Sequence, residues 1–189
     1  MKNFKNKSDI QWSKTKIGIL GGGRSGIAAA KLGKYLGANI FISDSDNRLE
    51  TIEKMHPFDY ESGVHSKKIL DSDLVIISPG ITDSIPIIYD CKCKNILIVS
   101  EIEFASWFTP SPILALTGSN GKTTTVNLLH NMCISDGKNS FLGGNVGIPF
   151  SENVLWELKS EMINVVHVLE LSSFQLEHIQ SFSPAIAGL

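Results

Sequence analysis

The chain of 189 residues contains no apolar run long enough to cross a bilayer, so a membrane-spanning helix is not expected. Its N-terminal stretch, MKNFKNKSDIQWSK, is polar and has no apolar centre of the kind a secretion signal needs, and a cytoplasmic location is expected. Neither sign of charge dominates. Seventeen Lys and Arg against nineteen Asp and Glu leave a net charge of −2, which offers no obvious surface to nucleic acid or an anionic membrane. Cysteine is scarce and odd in number: Cys91, Cys93 and Cys133. The Cys91-Lys92-Cys93 spacing is too tight for a usual zinc pair, and no second Cys/His pair completes a site, so reduced, unliganded thiols are expected. Internal repeats and low-complexity tracts are absent too. What is present is ordinary globular composition, 42% hydrophobic and 19% charged, in a length that suits one large domain or one domain and part of another.

Short apolar strands alternate with helical stretches. Strands are predicted at Lys16 to Leu20, Asn39 to Ser43, 73–80 (DLVIISPG), 95–100 (NILIVS), 112–118 (PILALTG) and 163–170 (INVVHVLE). Arg24 to Leu36 has small and apolar residues at helical spacing. Continuous apolar strands separated by helices predict a parallel α/β sheet covered on both faces. The prolines of WFTPSP mark a boundary between two α/β units, the helix-like EIEFASWF before them belonging to either side, and the closing SPAIAGL opens a further strand. On this reading residues 1–100 form a Rossmann-like unit, and residues 101–189 begin a P-loop-type parallel α/β unit that the chain leaves incomplete.

Two loops carry the chemistry. The first, Gly21-Gly22-Gly23-Arg24-Ser25-Gly26, fits G-x-G-x-x-G between a strand and a helix. Glycines let the backbone approach a diphosphate, and the helix start offers free N–H groups and the positive end of its dipole. Asp44 ends the next strand, where a carboxylate can accept hydrogen bonds from a nucleotide. The motif alone is compatible with a nicotinamide or flavin dinucleotide, and also with a turn that merely packs helix on strand.

The second loop, Thr117-Gly118-Ser119-Asn120-Gly121-Lys122-Thr123-Thr124, departs from G-x-x-x-x-G-K-[ST], because the first glycine of that pattern would fall on Leu116. Its physics survives: backbone N–H groups can wrap phosphates, Lys122 can reach β/γ oxygens, and the Thr123 hydroxyl can ligate Mg²⁺. Glu170 ends the apolar strand NVVHVLE, at the rim a parallel sheet shares with the phosphate loop, and its carboxylate can hold the metal directly or through water. A solvated turn with an incidental Lys, and a surface Glu after a strand, are the plainer alternatives.

Taken in order, SPGI (78–81), EIE (101–103), TGSNGKTT (117–124), GGNVGIP (143–149) and LELSSFQLE (169–177) resemble the Mur ligases, the ATP-dependent amide ligases of peptidoglycan synthesis, and within them the members that add D-glutamate. The resemblance covers essentially the whole chain. It implies that the first loop binds the uridine diphosphate of UDP-N-acetylmuramoyl-L-alanine, with Arg24 and Ser25 at the diphosphate and Asp44 and Ser45 at the uracil end. Ser78, Pro79 and Gly80 would line the same cleft, and Asn145 would be the substrate contact from the second unit. Asp46 is a departure: a basic residue can stand there in the family, which leaves a nucleotide contact at that position open. Gly118, Ser119, Asn120, Gly121, Lys122, Thr123 and Thr124 would hold ATP, with Lys122 and Glu170 catalytic and Thr123 and Glu170 on Mg²⁺.

The implied reaction converts the alanyl carboxylate into an acyl phosphate, which the amine of D-glutamate attacks. A monomer is implied. In the family, a metal-binding His, a carbamylated Lys and a C-terminal domain follow beyond PAIAGL, so a chain without ligase activity of its own is expected. His167 and His178 do not match that His and are expected to be structural or solvated. Two other readings stand beside the ligase. A dinucleotide-dependent oxidoreductase explains the first loop but not the second, and a nucleotide-sugar-binding fragment without catalysis explains both.

Overall fold

The computed structural model describes Phe4 and residues 9–189, and the polar N-terminal stretch read above lies partly outside them. Residues 16–100 form a five-stranded parallel sheet. Its strands are β1 (Lys16–Leu20), β2 (Asn39–Asp44), β3 (Asp59–Ser62), β4 (Leu74–Ile77) and β5 (Leu97–Ser100), in the order β3-β2-β1-β4-β5. The helices α1 (Arg24–Tyr35), α2 (Leu49–Met55) and α3 (Pro86–Cys93) lie between the strands, and α4 (Glu101–Ser106) follows β5 directly.

The second sheet is also parallel. It holds β6 (Ile113–Leu116), β7 (Asn139–Gly144), β8 (Val165–Glu170) and β9 (Ile186–Gly188) in the order β7-β8-β6-β9. Between them run α5 (Lys122–Ser135), α6 (Phe150–Lys159) and the single turn α7 (Ser173–Leu176). The expected parallel α/β class holds. Among the described residues, no helix is long and apolar enough to cross a membrane.

Strand alternation explains how one run of apolar residues serves two faces. Ile17, Ile19, Leu74 and Ile76 point to one side of the first sheet. Leu20, Val75 and Ile77 point to the other, onto Ile87, Ile88 and Cys91 of α3 and Ile69 of the 3₁₀ turn Lys67–Asp71. Burial pushes the Cys91 thiol up to about 11. The first of these faces packs on α1, α4 and α6, and the same cluster takes in Ile113, Ala115, Leu169 and Leu171 of the second sheet. One core therefore joins both sheets. On the far side of the second sheet, Val126, Leu129 and Cys133 of α5 cover Val166, Val168, Leu114 and Leu116.

Helix α4 sits at this junction, with Glu101 through Ala105 all buried. Ile102 and Phe104 are fully buried, each contributing roughly 2 kcal/mol of apolar burial. The helix that EIEFASWF predicts thus belongs to both units rather than to either side of a boundary. Two strands, β3 and β7, were not predicted. Both are sheet edges of mixed composition, DYES and NSFLGG, without the apolar run that marks the central strands.

Candidate functional site

The order β3-β2-β1-β4-β5 reverses direction between β1 and β4, and such a switch point opens a crevice at the carboxyl ends of those strands. The first glycine loop leaves β1 there, and Ser78-Pro79-Gly80 leaves β4 beside it. The Ser78 hydroxyl donates to the Gly21 carbonyl at 3.1 Å, tying the two together. From the other side the Asp44 carboxylate accepts from the Gly22 N–H at 2.5 Å and from the Asp46 N–H at 2.7 Å. Asp44 thus braces the loop from its own strand end.

Arg24 and Ser25 open α1, whose N-terminal residue Gly23 brings no side-chain cap, so its first N–H groups face the crevice. Ser45 and Gly80 are exposed at its mouth and Pro79 is half-buried. Asp46 is turned to its own loop, where it accepts from Arg48 Nε at 2.7 Å and from Thr51 Oγ1 at 2.9 Å. Its hydrogen bonds to Arg48 hold this carboxyl far below the usual range.

The second glycine loop leaves β6, and Leu116 pairs in register with Glu170 of β8, so loop and carboxylate reach the rim at one level. Gly121 begins α5 in the left-handed region (φ 76°), and no side chain caps the helix. Lys122 folds over the loop, its ammonium 2.6 Å from the Gly118 carbonyl and 3.5 Å from that of Ser119. Ser119, Asn120 and Thr124 are exposed around it.

Glu170 is buried to 2% exposure, and its two oxygens are shared. Thr123 Oγ1 donates to Oε2 at 2.7 Å, and Asn145 Nδ2 donates to Oε1 at 2.8 Å. Gly144 makes the second contact possible: its φ is +95°, and a Cβ there would lie 2.3 Å from the Glu170 carbonyl. The backbone of GGNVGIP thus passes directly over the strand end. Among the described residues no three His, Cys, Asp or Glu cluster as a metal group. One carboxylate beside a hydroxyl suits Mg²⁺, which is commonly held by one or two carboxylates together with substrate phosphates.

The first crevice and the GGNVGIP loop are linked by Arg24, whose guanidinium donates to the Gly147 carbonyl. The first unit also resembles a known domain. Residues 16–85 match the model of the MurD N-terminal domain. The first sheet therefore carries the likeness to that domain.

Over 178 residues, 92% of this chain, the sequence is 45% identical to the UDP-N-acetylmuramoylalanine–D-glutamate ligase of Christiangramia forsetii, covering 39% of that protein. The ligase of the same name from Chloroherpeton thalassium is 43% identical over 180 residues, 90% of this chain and 38% of the relative. The chain thus spans about two fifths of the length of the curated relatives it matches. A murein peptide ligase from Psychrobacter arcticus aligns over 82% of this chain and 37% of its own with a TM-score of 0.54 at 19% identity, a likeness of fold.

Arg24, Ser25, Asp44, Ser45, Ser78, Pro79 and Gly80 all fall within the MurD N-terminal domain match. Lys122, Thr123, Asn145 and Glu170 lie beyond it, and the structure gathers the last three around one carboxylate. His167 is fully buried, with Nε2 2.9 Å from Glu157 Oε2, and His178 bonds Asp83 at 2.9 Å. Reading the sequence missed the Arg24–Gly147 link, because a backbone carbonyl leaves no residue signature.

Proposed function

We propose that this chain supplies the nucleotide-sugar crevice and the phosphate loop of an ATP-dependent amide ligase that joins D-glutamate to UDP-N-acetylmuramoyl-L-alanine in peptidoglycan precursor synthesis. The observation that carries this reading is the meeting of Thr123 and Asn145 on the buried Glu170. It joins the phosphate loop to the loop that reaches Arg24 of the other crevice. The names of the relatives supply the reaction class.

Residues 1–100 would bind the UDP-sugar through Arg24, Ser25, Asp44, Ser45, Ser78, Pro79 and Gly80. Residues 101–189 would bind ATP through Gly118 to Thr124, and Asn145 would touch the sugar substrate from that side. Thr123 and Glu170 would hold Mg²⁺, which when bound neutralises phosphate charge. Lys122, released from the Gly118 carbonyl, would neutralise the β/γ oxygens. Arg24 and Asn145 would orient the UDP-sugar so that its carboxylate meets the terminal phosphate of ATP. The site would work in the cytoplasm, in a monomer.

Calorimetry of the chain with UDP-N-acetylmuramoyl-L-alanine, UDP and NADH tests this. Binding of the UDP ligands without NADH is expected. Submicromolar NADH binding with no response to either UDP compound would overturn the reading in favour of a dinucleotide oxidoreductase.

A further inference from the structure

The EIE segment carries none of the chemistry assigned above, yet its two carboxylates reach to opposite sides of the site. Glu103 accepts hydrogen bonds from the backbone N–H groups of Gln180 at 3.0 Å, Ser181 at 3.0 Å and Phe182 at 2.8 Å, and from the Ser181 hydroxyl at 2.6 Å. The indole N–H of Trp107 donates to the same carboxylate at 2.7 Å. Beside it the Ser100 N–H donates to the His178 carbonyl at 3.0 Å. Residues 178–182 are thus strapped to the start of α4. This strap is the far end of the segment that begins at Leu171, immediately after Glu170. The near end is held as well, by the Leu171 N–H on the Leu116 carbonyl at 2.8 Å and by the reciprocal capping of Ser172 and Gln175.

Glu101 points the other way. Its Oε1 accepts from the Ser151 N–H at 2.5 Å, at the first turn of α6. That turn follows GGNVGIP, the loop that carries Asn145 onto Glu170 and Gly147 onto Arg24. One short helix, anchored to β5 of the first sheet, therefore grips both segments that flank Glu170.

We propose that Glu101 and Glu103 are positioning residues: the EIE helix holds the Asn145 loop and the segment after Glu170 in register, so that Asn145 and Thr123 meet the Glu170 carboxylate. The role of this clamp in metal–nucleotide binding rests on the function proposed above, whereas its geometry does not. A backbone anchored by charge-accepting carboxylates holds a side chain within the few tenths of an ångström that a metal or phosphate site requires.

The test uses the full chain labelled with ¹⁵N, as wild type and as Glu103→Gln, Glu101→Gln and Ser181→Ala. Without ligand, Glu103→Gln is expected to move the Trp107 indole N–H resonance and the side-chain amide pair of Asn145 together. Glu101→Gln is expected to move the Asn145 pair without lowering the melting temperature, which separates positioning from stability. Ser181→Ala removes one donor only and gives a smaller shift of the same kind, so it stands in if Glu103→Gln does not fold.

With Mn²⁺ and ATP as probe, followed by electron paramagnetic resonance, each carboxylate variant is expected to bind the metal about tenfold more weakly, as loss of an outer-sphere support does. An unmoved Asn145 pair in Glu103→Gln, with the Trp107 resonance shifted, would overturn the clamp. So would Mn²⁺–ATP affinity within twofold of wild type in both carboxylate variants. A shifted Asn145 pair in a chain whose wild type binds no Mn²⁺–ATP would support the clamp and refute the nucleotide reading of the site.

Discussion

Thr123 Oγ1 lies 2.7 Å from Glu170 Oε2, although the two residues sit at the start of a helix and the end of a strand. Parallel pairing of β6 with β8 brings them there, since Leu116 and Glu170 are register partners. The hydroxyl donates to the carboxylate. The same pair of oxygens is what a hard cation would take up.

Lys122→Ala is expected to weaken ATP–Mg²⁺ binding by about ten- to a hundredfold, the worth of one charge-assisted hydrogen bond of roughly 1.5–3 kcal/mol. The ammonium now rests on the Gly118 carbonyl, so the fold loses little when it is removed. Isothermal titration of both proteins measures the ratio. Equal affinities would show that the loop does not cradle a triphosphate.

The glycines of the first loop differ in what they tolerate. A Cβ on Gly26 would lie 1.8 Å from the Gly21 carbonyl, a backbone atom, whereas one on Gly23 would meet nothing within 4 Å. Gly26→Ala is expected to cost about 2–3 kcal/mol and several degrees of melting temperature, as overpacking against backbone does. Gly23→Ala is expected to fold as wild type, and its methyl group would weaken UDP binding. Thermal melts with UDP titrations separate the two effects, and an equally destabilised Gly23→Ala would contradict them.

Glu101 gives the chain a cost at high pH. Burial pushes its carboxyl from the ordinary 4.5 up to about 7, against the lowering effect of the Ser151 bonds. The native state therefore binds a proton more tightly than the unfolded chain, and stability falls as pH rises from 4.5 through 7. Glu101→Gln is expected to be more stable than wild type above pH 7 by up to about 3 kcal/mol, with the advantage gone below pH 4.5. Urea melts at pH 4.5 and pH 8 check it. A gain of equal size at both pH values would rule out the titration.

Glu157 has the opposite sign. Burial acts to raise its pKa, but hydrogen bonds from His167, Ser111 and Thr109 outweigh it and hold the carboxyl below its ordinary value. That contribution is present above about pH 4.5 and disappears as pH falls through the native value. Glu157→Ala leaves the Nε2 of the fully buried His167 with only the Thr109 hydroxyl at 3.3 Å and is expected to cost about 1–3 kcal/mol at neutral pH. It should also be less sensitive to acid than wild type. Melts from pH 7 to pH 3 would reveal a parallel loss in both proteins if the Glu157 carboxyl is not the group responsible.

Much of this was legible because central parallel strands must be apolar on both faces. VVHVLE and LVII announce themselves, and their ends locate Glu170 and Ser78. The glycine patterns marked the two loops for the same physical reason, close backbone approach. Edge strands escaped notice since DYES and NSFLGG need no such composition. The clamp escaped too. Glu101 and Glu103 look like surface charges at a helix start, and only tertiary structure shows them buried, one on Ser151 and the other on residues 180–182. Asp44 was read as a ligand contact, and its hydrogen bonds to Gly22 and Asp46 are a local matter that spacing does not encode.

The apolar cluster that runs without a break from Ile17 and Ile76 through Phe104 to Phe150 and Leu169 decides how the molecule could be dissected. Excising residues 1–100 would strip the first sheet of the α4 and α6 side chains that cover one face. Excising 101–189 would leave those same side chains facing water. Neither piece would be a free-standing module. A shuffling event or an expression strategy that cuts at residue 100 is therefore expected to yield insoluble halves, because the cut would pass through one continuous core.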